Sequence, residues 1–83
     1  MTMNNKTTTR LKYRYRIVLD TTADVLDFNR IATKIKADVL LVGEDLSLNA
    51  KSFVGVHMAR IAWDELYVEC DVDCYSHFQK FII

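Results

Sequence analysis

Leu11-Lys12-Tyr13-Arg14-Tyr15-Arg16-Ile17-Val18-Leu19-Asp20-Thr21-Thr22-Ala23-Asp24-Val25-Leu26-Asp27-Phe28 carries the chain from one periodicity into another. In its first half Leu11, Tyr13, Tyr15, Ile17 and Leu19 alternate with Lys12, Arg14 and Arg16, which reads as a strand with one packed face and one wet, basic face. Asp20-Thr21-Thr22 stops the strand, and Thr21 with Asp24 three residues on has the form of a capping box. Val25, Phe28, Ile31, Ala32 and Ile35 then recur at helical spacing, with acids in the first turn and Arg30, Lys34 and Lys36 in the last, as the helix dipole prefers. The spacing predicts a helix over 22–36.

Further along, Val39-Leu40-Leu41-Val42 is a short apolar run, Gly43-Glu44-Asp45 breaks it, and Leu46-Ser47-Leu48 resumes the alternation, so the segment reads as a hairpin. Ser52 is the natural N-cap of a short apolar helix over 53–58, because its hydroxyl can accept a first-turn N–H. Gly55 weakens that helix by roughly 1 kcal/mol relative to Ala, so its presence points to close packing. Leu66, Val68 and Cys70 alternate with Tyr67 and Glu69 as a last strand. Asp71 or Asp73 then caps a terminal helix that turns Cys74, Phe78, Phe81 and Ile82 to one side. The order strand, helix, strand, strand, helix, strand, helix implies an α+β domain with one antiparallel sheet and helices on one face. Periodicity leaves two architectures open, the ferredoxin-like split βαβ and the open-faced sandwich.

The 83 residues are 51% apolar, include nine aromatics and lack proline, which suits one small folded domain and excludes two domains or a disordered chain. We expect a flexible polar tail over 1–10 and a single domain over 11–83. The threonine-rich start has no apolar core, so no secretory or transit segment is expected there, and no run reaches the ~18–20 apolar residues of a membrane span. A cytoplasmic protein with reduced Cys70 and Cys74 and no membrane insertion is the expectation. Formal charge is zero, yet residues 1–36 carry eight basic side chains against three acids and residues 37–83 carry three against eight. That segregation either leaves a basic face or cancels when the two halves interleave. Nucleic-acid binding by Lys12, Arg14 and Arg16 is not expected, because alternation puts Tyr13 and Tyr15 on the opposite face from the charges.

Asn49-Ala50-Lys51-Ser52-Phe53-Val54-Gly55-Val56 resembles the HPr family of phosphocarriers of the bacterial phosphoenolpyruvate-dependent sugar phosphotransferase system, whose pattern there is Lys-Ser, two apolar residues, Gly and an aliphatic residue. The resemblance spans about 11–82 and implies an open-faced β-sandwich, a four-stranded antiparallel sheet with three helices on one face (βαββαβα). Family members carry phosphoryl on a histidine at the start of the first helix, followed after one residue by Arg-Pro. Aligned on Phe28 without gaps, Thr21 stands in the histidine position, Ala23 in the arginine position and Asp24 in the proline position, so no catalytic residue is expected. Phosphate esters lack the transfer potential of a phosphoramidate, so Thr21 cannot replace the imidazole. Asp20 and Asp24 would repel an incoming anion.

Ser52 matches the family's second phosphorylation site, a serine through which a histidine-lacking branch acts in catabolite regulation. The resemblance therefore implies a regulatory interaction protein, not an enzyme and without a cofactor. Ser52 would be its phosphoryl acceptor, and Lys51, Phe53, Val54, Val56 and His57 its contacts to protein partners. Capping alone also explains Ser52. Two departures stand beside this: His57 replaces an apolar residue, and the 60–64 loop is one residue short and lacks a glycine. Two alternatives remain from the residues themselves. Cys70, Cys74 and His77 offer a metal-binding module, although each cysteine also fits an apolar face. His57 or His77 offers an unconventional phosphoryl carrier.

Overall fold

The computed structural model describes residues 11–83, so the tail expected over 1–10 lies outside the described residues. Strand β1 (Tyr13–Ile17), helix α1 (Thr22–Lys34), the hairpin strands β2 (Val39–Val42) and β3 (Ser47–Asn49), helix α2 (Phe53–Ala62), strand β4 (Leu66–Cys70) and the short helix α3 (Tyr75–Phe78) follow in that order, with a 3-10 turn over Gln79–Phe81. The four strands form one antiparallel sheet in the order β1-β4-β2-β3. The architecture is α+β, with a four-stranded open sheet and three helices.

Register sorts the side chains by face. Tyr15 is opposite Val68, Ile17 opposite Leu66, and Leu41 lies between Val68 and Leu48. Antiparallel partners share a face, so these residues line one side of the sheet. There they join Val25, Phe28 and Ala32 of α1, Val56 and Ala59 of α2 and Phe78 of α3 in one core. Phe28 anchors it, with its ring 5.0 Å from that of Phe78 and 5.9 Å from that of Phe81.

The helix starts follow from local chemistry. Thr21 Oγ1 accepts from Asp24 N at 3.1 Å while Asp24 Oδ2 accepts from Thr21 N at 3.3 Å, the reciprocal box its sequence predicts. Helix α1 ends at Lys34, two residues before the expected stop, as Ile35 turns to extended backbone and buries its side chain. Helix α2 runs on to Ala62, beyond the expected 53–58, so Arg60, Ile61 and Ala62 are helical and not a loop. Arg60 explains the extension: its guanidinium reaches across to donate to Leu19 O, at 2.9 Å, and to Asp20 O. The terminal helix is a single turn, and Asp73 Oδ1 accepts from Tyr75 N at 3.1 Å at its start.

The far face of the sheet is not simply wet and basic. Arg14 Nη1 donates to Glu69 Oε2 at 2.7 Å and its guanidinium covers the Tyr67 ring, while Arg16 stands 3.7 Å from Glu65. The basic first half thus pairs with the acidic second half across β1 and β4. Beyond β1, the chain end pairs along the strand through Val18 N to Phe81 O, at 2.8 Å, and Ile83 N to Arg16 O, at 3.2 Å.

Candidate functional site

The chain leaves β3 through a tight turn that sets Ser52 at the head of α2. Asn49 makes the turn: its Oδ1 accepts from Lys51 N and its backbone carbonyl from Ser52 N, both at 2.9 Å. Ala50 is fully buried, and its carbonyl accepts from Asn29 Nδ2 at 3.2 Å, which ties the turn to α1. Ser52 itself is exposed and extended, and its Oγ accepts from Gly55 N at 3.2 Å. The hydroxyl is an N-cap that also faces solvent. Lys51 does not project toward it: Nζ donates to Ile35 O at 2.7 Å, holding a carbonyl at the end of α1.

From Ser52 onward α2 is apolar on both sides. Val56 and Ala59 point into the core, whereas Val54, Met58 and Ile61 are 65%, 62% and 70% exposed. These three recur at i, i+4 and i+7 and so form one outward stripe. On the flank nearest α1, Phe53 stacks on His57 with ring centroids 6.0 Å apart. His57 is half-buried, and its Nδ1 is enclosed with no hydrogen-bond partner. On the other flank, Leu48, Gly55, Met58, Ala59, Ala62 and Trp63 line an apolar groove of about 270 Å³. Gly43 lets Trp63 close the end of that groove, because a Cβ at Gly43 would lie 2.5 Å from the indole.

Of the residues the sequence nominates for partner contact, Phe53, Val54 and His57 share this surface. Val56 does not. It is fully enclosed in the core, because its position on α2 faces the sheet, so it contributes packing and no contact. Lys51 lies at the margin, committed to Ile35. Ile61 and the Ala62-Trp63 side of the groove were missed because the expected helix ended at 58, and Met58, inside that helix, was not assigned to its outer face. Extending the helical period past Arg60 would have found the first two.

No family model, curated protein or solved structure matches the chain.

At the start of α1, Thr21 and Asp24 occupy each other's backbone N–H groups, and Asp24 Oδ2 also accepts from Asp20 N at 2.9 Å. A helix terminus filled by its own carboxylate has little left to offer a phosphoryl anion. Ala23 is exposed and brings no cation there.

Cys70 and Cys74 meet inside the core, where both are fully buried. Burial pushes the Cys74 thiol up to about 12, with the Cys70 contact adding to the rise, and burial raises Cys70 as well. His77 is exposed and stays apart from them, and among the described residues no group of three His, Cys, Asp or Glu side chains is placed to hold a metal ion. The metal-binding alternative is corrected on that ground: the thiols turn inward to pack while the imidazole turns out. No helix among the described residues is long and apolar enough to cross a membrane.

Proposed function

We propose that the chain is an HPr-like interaction protein without a phosphoryl-carrying histidine, which binds a partner protein of the phosphotransferase or catabolite-regulation systems through the solvent face of α2 and is controlled at Ser52. It acts by docking and not by catalysis, in the cytoplasm. The observation that carries the reading is the outward stripe on α2, Val54 and Ile61 at 65% and 70% exposure, which begins next to an exposed serine. Isolated exposed apolar side chains are ordinary, but a contiguous set on one helix marks a contact surface. The element order, with the Lys-Ser-x-x-Gly segment opening α2, also supports it. A phosphate on Ser52 adds a charge of about −1.5 to −2 at the head of the helix, beside Phe53 and Val54, and so changes what that surface can bind.

The test compares the protein phosphorylated by the family's serine kinase with the unmodified protein, each used as bait in bacterial cytosol and with the family's purified partner proteins. Capture of a phosphotransferase or regulatory partner that depends on phosphate and is lost in Val54→Asp supports the proposal. Failure of the kinase to modify Ser52, or identical capture by both forms, rules out the control at Ser52. Incubation with phosphoenolpyruvate and the first enzyme of the phosphotransferase chain should leave the protein unlabelled. Stoichiometric acid-labile phosphate would instead assign a carrier role to His57 or His77.

A further inference from the structure

The two edges of the sheet are finished differently. The β1 edge is covered by the chain's own end, through the Val18 to Phe81 and Ile83 to Arg16 bonds and the Ile17 to Ile82 pairing. At the other edge, among the described residues, no strand lies outside β3. The inward bonds there belong to Leu46, Leu48 and Ala50, as the Gly43 N to Leu46 O and Ala50 N to Val39 O bonds require under antiparallel alternation. Ser47 and Asn49 therefore aim their backbone groups outward, and both residues are exposed. The Asn49 carbonyl is taken by Ser52 N. Ser47 keeps both an N–H and a C=O for an incoming strand. The three-residue length of β3 limits how much strand can be added here, but no charge, proline or bulge within Ser47–Asn49 blocks the one outward pair of groups at Ser47.

The flank beside this edge is shaped to match itself. Leu46 is 64% exposed and, being two residues from Leu48, projects on the same, helix-bearing face. Two residues away Leu48 opens the groove completed by Gly55, Met58, Ala62 and Trp63. In antiparallel pairing about Ser47, Ser47 meets Ser47 of the second copy, and Leu46 falls opposite Leu48 of the second copy. Each protruding leucine then enters the other copy's groove, as a two-fold contact demands. Small residues at Gly55 and Ala62 let the two α2 helices approach. The central positions, Leu46, Ser47, Leu48, Gly55, Met58 and Ala62, carry no charge. At the rim the same register sets the Glu44-Asp45 turn of one copy opposite the Asn49-Ala50 turn of the other, where the neighbouring charge is the cation Lys51 and no acid stands, so like charges do not meet.

We infer that the β3 edge and the adjoining groove of α2 take a second copy of this chain, in a two-fold dimer that joins the two sheets into one. This surface lies on the flank of α2 opposite Phe53 and His57, so the dimer takes Met58 from the outward stripe and leaves Phe53, Val54, His57 and Ile61 open to the proposed partner.

Sedimentation equilibrium of the full chain across micromolar to millimolar concentrations tests it. The mass should rise from 9.6 kDa toward twice that value. Leu46→Asp removes the protruding side chain. Ser47→Pro removes the outward N–H without costing a ladder bond. Both should hold the mass at the monomer value with an unchanged circular dichroism spectrum, while Leu26→Asp on α1 should dimerise as the wild type does. In wild-type protein, amide resonances that move on dilution should fall within 46–49 and 55–63, which needs no variant to fold. A wild type that stays monomeric throughout, dimerisation undiminished in both edge variants, or dilution shifts centred elsewhere would overturn the inference.

Discussion

Gly43 has no room for a methyl group, since the Trp63 ring lies 2.5 Å from where a Cβ would be. Gly43→Ala must displace either the indole or the hairpin turn and should cost about 1–3 kcal/mol. Urea denaturation measures it, and in a Trp63→Ala background most of the alanine's cost should vanish, because the two sites act through one contact. Ser52 is the opposite case, an exposed side chain with one defined structural task. Ser52→Ala should cost about 1 kcal/mol by freeing Gly55 N, whereas Ser52→Asp caps equally well and adds charge that suits the dipole, leaving stability unchanged or raised by about 0.3–1 kcal/mol. Thermal unfolding of the three proteins separates the cap from any phosphate effect.

Among the elements, β4 and α3 are joined by the buried pair Cys70 and Cys74. Folding raises the Cys74 thiol from its ordinary 9.0 to about 12, so the native chain holds that proton more firmly than the unfolded one does. Its contribution to stability is complete below 9.0 and is lost as pH climbs through about 12. Denaturant midpoints should therefore fall across this alkaline window, and the slope should flatten in Cys74→Ala even though that variant starts from a lower stability. At pH 8 neither cysteine should react promptly with a disulfide reagent, and both should do so once the protein is unfolded. The helices show how a few bonds set their ends. The box at Thr21 and Asp24 starts α1, while Arg60, by reaching the carbonyls of Leu19 and Asp20, keeps the last turn of α2 wound.

Across the whole molecule, the opposed charges of the two halves cancel by contact. Arg14 meets Glu69, which is 2% exposed, and Arg16 lies 3.7 Å from Glu65, while Lys80 Nζ of the acidic half runs the other way and donates to Asp27 Oδ2 of the basic half at 2.9 Å. The Lys80 bond, then the Lys80 and Arg30 charges, hold the Asp27 carboxyl below its ordinary value. These pairs differ in worth. Arg14→Ala takes one cation from a buried carboxylate that keeps its bond from Leu11 N at 3.1 Å, and should destabilise by about 2 kcal/mol, less than the ~3–5 kcal/mol of a buried charge left uncompensated. Arg16→Ala breaks an exposed contact with Glu65 and should cost about 0–1 kcal/mol. Chemical denaturation at low and high salt checks both, with the Arg14 effect surviving salt and the Arg16 effect fading.

Local signals determined the α+β element order, both helix caps and most of the core, because alternation, helical spacing and capping act over a few neighbouring residues. Leu11 to Phe28 announces a strand turning into a helix without reference to anything distant. Tertiary structure alone decided which strands are neighbours, and with that the pairing of Arg14 with Glu69, 55 residues apart. It also decided that Val56 packs while Val54 is exposed, for a helix apolar on both sides does not reveal which side meets the sheet. The extent of α2 belongs here too, since the carbonyls that hold Arg60 lie 40 or more residues away. The open β3 edge and its groove were equally hidden: an edge exists only once strands are ordered, and the cavity beside it only once Trp63 has folded back over Gly43.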